Sequence, residues 1–237
     1  MLDIANKTAL VLAPHLDDEV FGCGGLIHRM KQSSTRVYVL FMTNGTTQNF
    51  GSGGSSSGKV RLTEIEKVAA KLKFDDYEIA FEGDQYHLQL DQLAQRDLVH
   101  SIERGSRVSI EAIKPDIVLT PLPNDYNQDH RATFEAAMTA LRPASPDYRH
   151  LCSTVLGYEL PYQQWNISAT DSVPSCLVQL SEENINAKVD ALELYDSQLK
   201  STTSPLSVHG VRTLAAFRGL QCGAAFAEAY VPLRLIV

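Results

Sequence analysis

The chain has 237 residues, of which 44% are hydrophobic and 21% charged. These are ordinary globular proportions, and they exclude a disordered chain, a collagen-like repeat and a coiled coil. A net charge of −7 argues against a protein that grips nucleic acid through bulk electrostatics.

Short runs rich in β-branched, aromatic and leucine residues recur along the chain, with helix-like segments between them. The first strand is expected at Thr8–Leu12 and a helix at Gly24–Lys31, stopped by Ser33 and Ser34. A second strand spans Arg36–Met42, and the low-complexity stretch Gly51–Gly58 reads as a mobile loop with too little apolar content to bury. Arg61–Leu72 places apolar residues at 62, 65, 68, 69 and 72, one face of a 3.6-residue helix. Strands at Tyr77–Phe81 and Asp116–Thr120 flank a long periodic segment, Asp91–Ile113, with a break expected at Gly105. A helix at His130–Leu141, strands at Ser153–Leu160 and Cys176–Leu180, and a helix at Glu182–Leu199 complete the pattern. Several strands lack in/out alternation, as strands buried on both faces do. The expected fold class is therefore α/β: a Rossmann-like layered fold with a mostly parallel sheet and helices on both faces. One domain spanning 1–237 is expected, with working groups in loops at the carboxyl ends of strands.

The four cysteines, Cys23, Cys152, Cys176 and Cys222, form no C-x-x-C pair and read as free thiols. The N-terminal segment lacks a basic region followed by an apolar stretch, and no window approaches the length of a spanning helix. The expected compartment is the cytoplasm, so the Asn-x-Ser/Thr triplets at Asn6, Asn44 and Asn166 carry no glycosylation meaning.

Two clusters carry chemistry. The first strand runs into Pro14-His15-Leu16-Asp17-Asp18-Glu19, four ionisable side chains in five positions directly after an apolar run. Removing such groups from water costs several kcal/mol each unless they are paired or bind a metal. His15 and Asp18 are three apart and converge in a turn entering a helix, whereas Asp17 projects elsewhere and is free to act as a base. A helix N-terminus capped by acids explains Asp17, Asp18 and Glu19 equally well, but leaves His15 unexplained. The second cluster, Pro121-Leu-Pro-Asn-Asp-Tyr-Asn-Gln-Asp-His130, follows the fourth strand at the same kind of place. His130 there offers a third ligand, and three protein ligands leave one position for water, the arrangement of a catalytic metal site.

Pro14-His15-Leu16-Asp17-Asp18-Glu19 resembles the first signature of the PIG-L/LmbE-like zinc-dependent N-deacetylase family, and Asp125-Tyr-Asn-Gln-Asp129-His130 resembles its second, which typically reads H-x-D-H. Gly22-Cys-Gly24-Gly25, Thr43-Asn44-Gly45, Arg61-Leu-Thr-Glu64, the segment from Lys188 through Ser197-Gln198, and Phe226-Ala-Glu228-Ala-Tyr230 extend the likeness over most of the chain. The resemblance implies hydrolysis of the acetamide on an N-acetylglucosamine-type sugar, carried by a small molecule, glycan precursor or other conjugate. It implies Zn2+ as cofactor, with Fe2+ the alternative, held by His15, Asp18 and His130. It makes Asp17 the general base and places Arg61 and Asp84 near the sugar. Asn127 stands where the family often has a histidine that stabilises the tetrahedral intermediate as a cation; an amide can donate a hydrogen bond to an oxyanion, but no charge. Asp129, which would orient that histidine, is left to act on a metal-bound one. A non-catalytic carbohydrate-binding protein on the same fold is the alternative, with a two-metal phosphoesterase ranked third. A homo-oligomer is compatible with the sequence, and neither a nucleic-acid partner nor a transmembrane segment is expected.

Other features read as structural. Gly22–Gly25 lacks dinucleotide-loop spacing and suits close helix–strand packing, with Cys23 as packing in that turn. His28, His87, His100, His150 and His209 have no motif around them and read as surface or hydrogen-bonded core residues, His209 being the one placed to reach the site from a late loop. Trp165 with Tyr158, Tyr162 and Gln163-Gln164 could build a sugar-stacking platform or pack as an ordinary loop.

Overall fold

The computed structural model describes residues 2–49, 54–163 and 173–237. Seven strands form one sheet: β1 (Thr8–Ala13), β2 (Arg36–Asn44), β5 (Asp76–Glu82), β6 (Ile117–Thr120), β7 (Thr154–Tyr158), β8 (Cys176–Leu180) and β9 (Phe226–Leu235). Their order across the sheet is β5-β2-β1-β6-β7-β9-β8. Neighbours from β5 to β7 are parallel, and β9 runs antiparallel to both β7 and β8. A two-stranded ribbon, β3 (Thr47–Asn49) and β4 (Gly54–Ser56), stands apart from the sheet.

All six residues of β1 are buried, which is why Thr-Ala-Leu-Val-Leu-Ala shows no alternation. Val11, Val39 and Phe41 face a core with α1 (Asp18–Gln32), α2 (Gly58–Leu72), α6 (Glu182–Glu193) and α7 (Val208–Leu220). Leu10, Leu12 and Leu40 face the opposite core, closed by α3 (Gln95–His100) and α5 (Gln128–Ala140). Burying each such aliphatic side chain contributes roughly 1.5–3 kcal/mol. The buried face of α5 is alanine-rich (Ala132, Ala136, Ala137, Ala140), so the helix can approach the sheet closely.

The strand order reverses at β1. The chain passes from β1 to β2 and β5 on one side, then returns to place β6 on the other. The segments after β1 and β6 therefore emerge side by side, at the crevice where ligands bind in open α/β sheets.

Several expectations change. The loop 51–58 contains β4 over Gly54–Ser56, and Ser57 caps α2 by accepting from the Val60 N–H; residues 51–53 lie outside the described residues. Asp91–Ile113 breaks at Gly105 as expected, but its first part is further divided into a 3-10 turn, α3 and a π-type turn, and its second holds only the short α4 (Ile110–Ile113). The helix from Glu182 ends at Glu193, with Tyr195–Leu199 continuing as turn. Helix α7 and strands β3, β4 and β9 are additions.

Candidate metal centre and active site

Asp17 occupies the N-cap of α1 with φ 132°, a backbone conformation that strains any residue with a side chain, by about 1–3 kcal/mol. Its carbonyl accepts from the Val20 and Phe21 N–H groups, and its own N–H donates to Glu19 Oε2 at 3.0 Å. This sharp entry turns His15 and Asp18 toward each other. Asp18 Oδ2 accepts from the His15 backbone N–H at 2.9 Å. After β6, Asp125 Oδ1 accepts from the Asn127 N–H and Asn127 Oδ1 caps α5 by accepting from the Asp129 N–H, which puts His130 in the first turn.

The two segments converge. His15 Nδ1 lies 3.3 Å from Asp18 Oδ2, His130 Nε2 lies 3.2 Å from the same oxygen, and the two imidazole nitrogens are 3.2 Å apart. All three residues are buried. A tetrahedral zinc at ~2.0–2.1 Å from its ligands holds them ~3.3–3.4 Å apart, so this triangle fits such an ion without rearrangement. Each imidazole is backed by a carboxylate on its far side. Asp129 Oδ2 is 3.0 Å from His15 Nε2, and Asp125 Oδ2 is 2.9 Å from His130 Nδ1. The Asp129 contact favours a proton on His15 Nε2, and the Asp125 carboxylate faces His130 Nδ1, so loss of the His130 Nε2 proton would leave lone pairs on the two converging nitrogens. Asp129 also accepts from the Leu88 and Leu90 N–H groups, each at 2.9 Å.

Electrostatics agree with a cation-seeking pocket. Burial works against a charged His130, but the Asp18 and Asp125 carboxylates outweigh it and raise its pKa to about 10. Burial is likewise opposed at His15 by Asp129 and Asp18, with a net upward shift. Burial disfavours ionised Asp18, yet the neighbouring His130 and His15 hold its carboxyl below the usual range. Asp17 is pushed up to about 7 by burial and by the charge of Asp18. Glu19 is pushed up to about 8, mainly by burial, and accepts from Tyr195 Oη at 2.6 Å.

An open cavity of about 140 Å³ lies over the triangle, lined by Asp17, Phe21, Thr47, Arg61, His87, Tyr126, Asn127, Tyr162, Gln198 and Leu206 among others. Asp17 keeps part of its surface open to it, and Arg61 reaches its wall while 2% exposed. Asp129 lies behind His15 and away from the lining. Asp84 is exposed, falls short of the cavity wall, and accepts from the Thr46 N–H and hydroxyl. His87, read from sequence as a residue without a role in the site, lines the cavity instead, edge-on to His15 with ring centroids 5.2 Å apart. Its position in a loop at the carboxyl end of β5 was the available signal. His209 is exposed at the start of α7 and does not line the cavity. Tyr158 cannot serve a sugar platform: its ring is buried and its hydroxyl donates to the Leu12 carbonyl at 3.0 Å. Tyr162 does face the cavity, paired with Tyr126 at 5.1 Å, while Gln164 and Trp165 lie outside the described residues.

The remaining sequence motifs support this arrangement. A Cβ at Gly22 would fall 2.4 Å from the Tyr158 ring, and one at Gly25 2.4 Å from Leu180. Glu228 accepts from the Gly25 and Leu26 N–H groups, and Lys188, paired with Glu228 at 2.6 Å, donates to the Phe21 carbonyl. This buried ion pair is thereby bonded into the backbone of α1. Glu64 accepts from the Ser197 N–H and hydroxyl, which sets Gln198 at the cavity.

An α/β layered fold with a His-Asp-His triangle at its topological switch point defines a class of candidate metal-dependent enzymes. The family model described as PIG-L: GlcNAc-PI de-N-acetylase matches residues 10–141, and the chain belongs to this family of N-deacetylases. It is similar to an uncharacterized deacetylase, YaiS, of Escherichia coli K12 (26% identity, covering 83% of this chain and 96% of the relative). It is also similar to the diacetylchitobiose deacetylase of Thermococcus kodakarensis (25% identity, covering 94% and 81%). Its fold matches the crystal structure of GalB, a 4-carboxy-2-hydroxymuconate hydratase of Pseudomonas putida KT2440 (TM-score 0.75, 18% identity, covering 98% of each chain). Among the described residues, no helix is long and apolar enough to cross a membrane.

Proposed function

We propose that this protein removes the acetyl group from an N-acetylglucosamine-type amino sugar, with Zn2+ (or Fe2+) held by His15, Asp18 and His130. The observation that carries the reading is the 3.2–3.3 Å triangle of donor atoms beside Asp17 on an open cavity. When bound, the cation supplies Lewis acidity, lowering the pKa of a water and polarising the amide carbonyl.

The protein's own residues do the rest. Asp17, at the cavity floor with its carboxyl pushed up to about 7, takes a proton from water and passes it to the leaving amine. Asn127 caps α5 through its side-chain oxygen, which leaves its NH2 group to donate to the developing oxyanion. Asp129 holds the His15 imidazole by its far nitrogen, and the Asp125 carboxylate stands 2.9 Å from the far nitrogen of His130. Arg61 offers fixed positive charge on the wall, and Tyr126 and Tyr162 offer ring faces to a sugar.

The test is acetate release by zinc-loaded protein from a panel of N-acetylated amino sugars and their conjugates, with Asp17→Asn beside it. Turnover by the parent and a fall of roughly 10²–10⁴-fold in kcat with zinc retained are expected of the variant. Zinc binding without acetate release from any member of the panel would favour a carbohydrate-binding protein instead.

A further inference from the structure

Arg61 is a buried guanidinium held entirely by neutral acceptors. Its Nη2 donates to the Leu16 carbonyl at 2.6 Å, and its Nη1 reaches Thr47 Oγ1 at 3.1 Å and His87 Nε2 at 3.3 Å. No carboxylate pairs with it among the described residues, although Asp17 lies near enough to feel its charge. A guanidinium has no acceptor, so its contact with His87 requires a lone pair on His87 Nε2. Thr47 Oγ1, 2.9 Å from the same nitrogen, then accepts from Arg61 and donates to the imidazole, so the one Nε2 lone pair is shared between a close Thr47 hydroxyl and the Arg61 Nη1 at 3.3 Å. The His87 proton is thereby placed on Nδ1, which is buried and has no hydrogen-bond partner among the described residues.

The backbone is built to deliver this ring. Gly45 has no Cβ, and one placed there would fall 2.5 Å from the His87 Cβ. The loop is tied on both sides of His87: Asp84 binds Thr46, while the Leu88 and Leu90 N–H groups donate to Asp129. Leu88 takes a left-handed φ of 60° to make that turn. The residue beside a metal-ligand triangle is thus an imidazole used as a hydrogen-bond acceptor toward a cation. An acid in its place would cancel the charge of Arg61, and an apolar ring would leave Arg61 with Leu16 and Thr47 alone and Thr47 without its imidazole acceptor.

We propose that His87 is a positioning residue that fixes Arg61 as an uncompensated positive charge facing the substrate cavity. The kinetic part of its test rests on the N-deacetylase reading above. Two variants separate acceptor from bulk: His87→Phe keeps the ring and removes the acceptor, while His87→Gln restores an acceptor. In cation-free protein, the 15N signals of the Arg61 guanidinium should show slow side-chain rotation in the parent and in H87Q, and measurably faster rotation in H87F. In zinc-loaded protein, H87F should raise KM for an N-acetylated sugar about tenfold, leave kcat within threefold, and retain the full zinc content, with H87Q close to the parent. Unchanged Arg61 signals in H87F would overturn the proposal. So would equal damage in H87Q and H87F, or loss of zinc in H87F, which would assign His87 to the cation site. Should the parent hydrolyse no N-acetylated sugar, the deacetylase reading fails, and the Arg61 signals alone decide the role of His87.

Discussion

Replacing Asp129 by Asn changes almost no volume and tests the logic behind the donor triangle. The Asp129 carboxylate meets three groups: His15 Nε2 at 3.0 Å and the Leu88 N–H at 2.9 Å on one oxygen, and the Leu90 N–H at 2.9 Å on the other. An amide has one acceptor end and one donor end. If its oxygen faces Leu90, its NH2 confronts the Leu88 N–H and draws the lone pair of His15 Nε2, which moves the imidazole proton to Nδ1, the nitrogen that faces Asp18 and His130. If it flips, the NH2 faces the buried Leu90 N–H. In the first case the half-buried Leu88 N–H loses its acceptor, at the low end of about 1–3 kcal/mol, and in the second the buried Leu90 N–H does, over that full range. For a chain of this size that is a fall of roughly 2–12 °C in Tm. Loss of such a partner behind a ligating histidine weakens metal binding typically by ~10–100-fold. Thermal unfolding of the cation-free protein and a zinc titration against a competing chelator measure the two effects. An unchanged Tm together with unchanged zinc affinity would show that Asp129 does not set the His15 tautomer.

Zinc binding to the cation-free protein at pH 7–8 should release protons, because His130, with its pKa raised to about 10, is protonated there and must lose a proton to ligate. Calorimetry in buffers of different ionisation enthalpy counts them; affinity should rise with pH through this range, and proton uptake would contradict the assignment. Gly25→Ala places a Cβ 2.4 Å from Leu180 Cδ1 and 3.1 Å from Glu228 Oε1. Overpacking there should cost about 1–3 kcal/mol, or roughly 2–12 °C in Tm by calorimetry, and an unshifted Tm would remove the close-packing account of this glycine.

The parallel strands were legible because both faces are covered: β1, β2 and β6 read as continuous apolar runs bounded by polar turns. Strand β9 was not, since Phe226–Leu235 carries Glu228, Pro232 and Arg234. Glu228 is interior only because Lys188, 40 positions earlier, meets it there. Helix α7 hides behind Gly210 and Gly219, both needed where neighbouring backbone comes close: a Cβ at Gly210 would fall 2.4 Å from the Pro205 carbonyl oxygen. At the site, His15 and Asp18 stood out as ionisable groups directly beyond an apolar strand, and His130 stood out at the end of the polar segment that follows another. His87 did not, because the residues that give it meaning, Thr47, Arg61 and His15, are distant in sequence and meet only through the sheet order.

The most direct test of the account is zinc K-edge X-ray absorption on protein loaded with one equivalent of Zn2+, with His130→Ala in parallel. One ion per chain should show imidazole scattering from two histidines with nitrogen at ~2.0–2.1 Å, and the variant should lose one imidazole and bind more weakly. A parent spectrum without imidazole scattering, or a variant that binds zinc as tightly as the parent, would contradict the joining of the two chain segments at one cation.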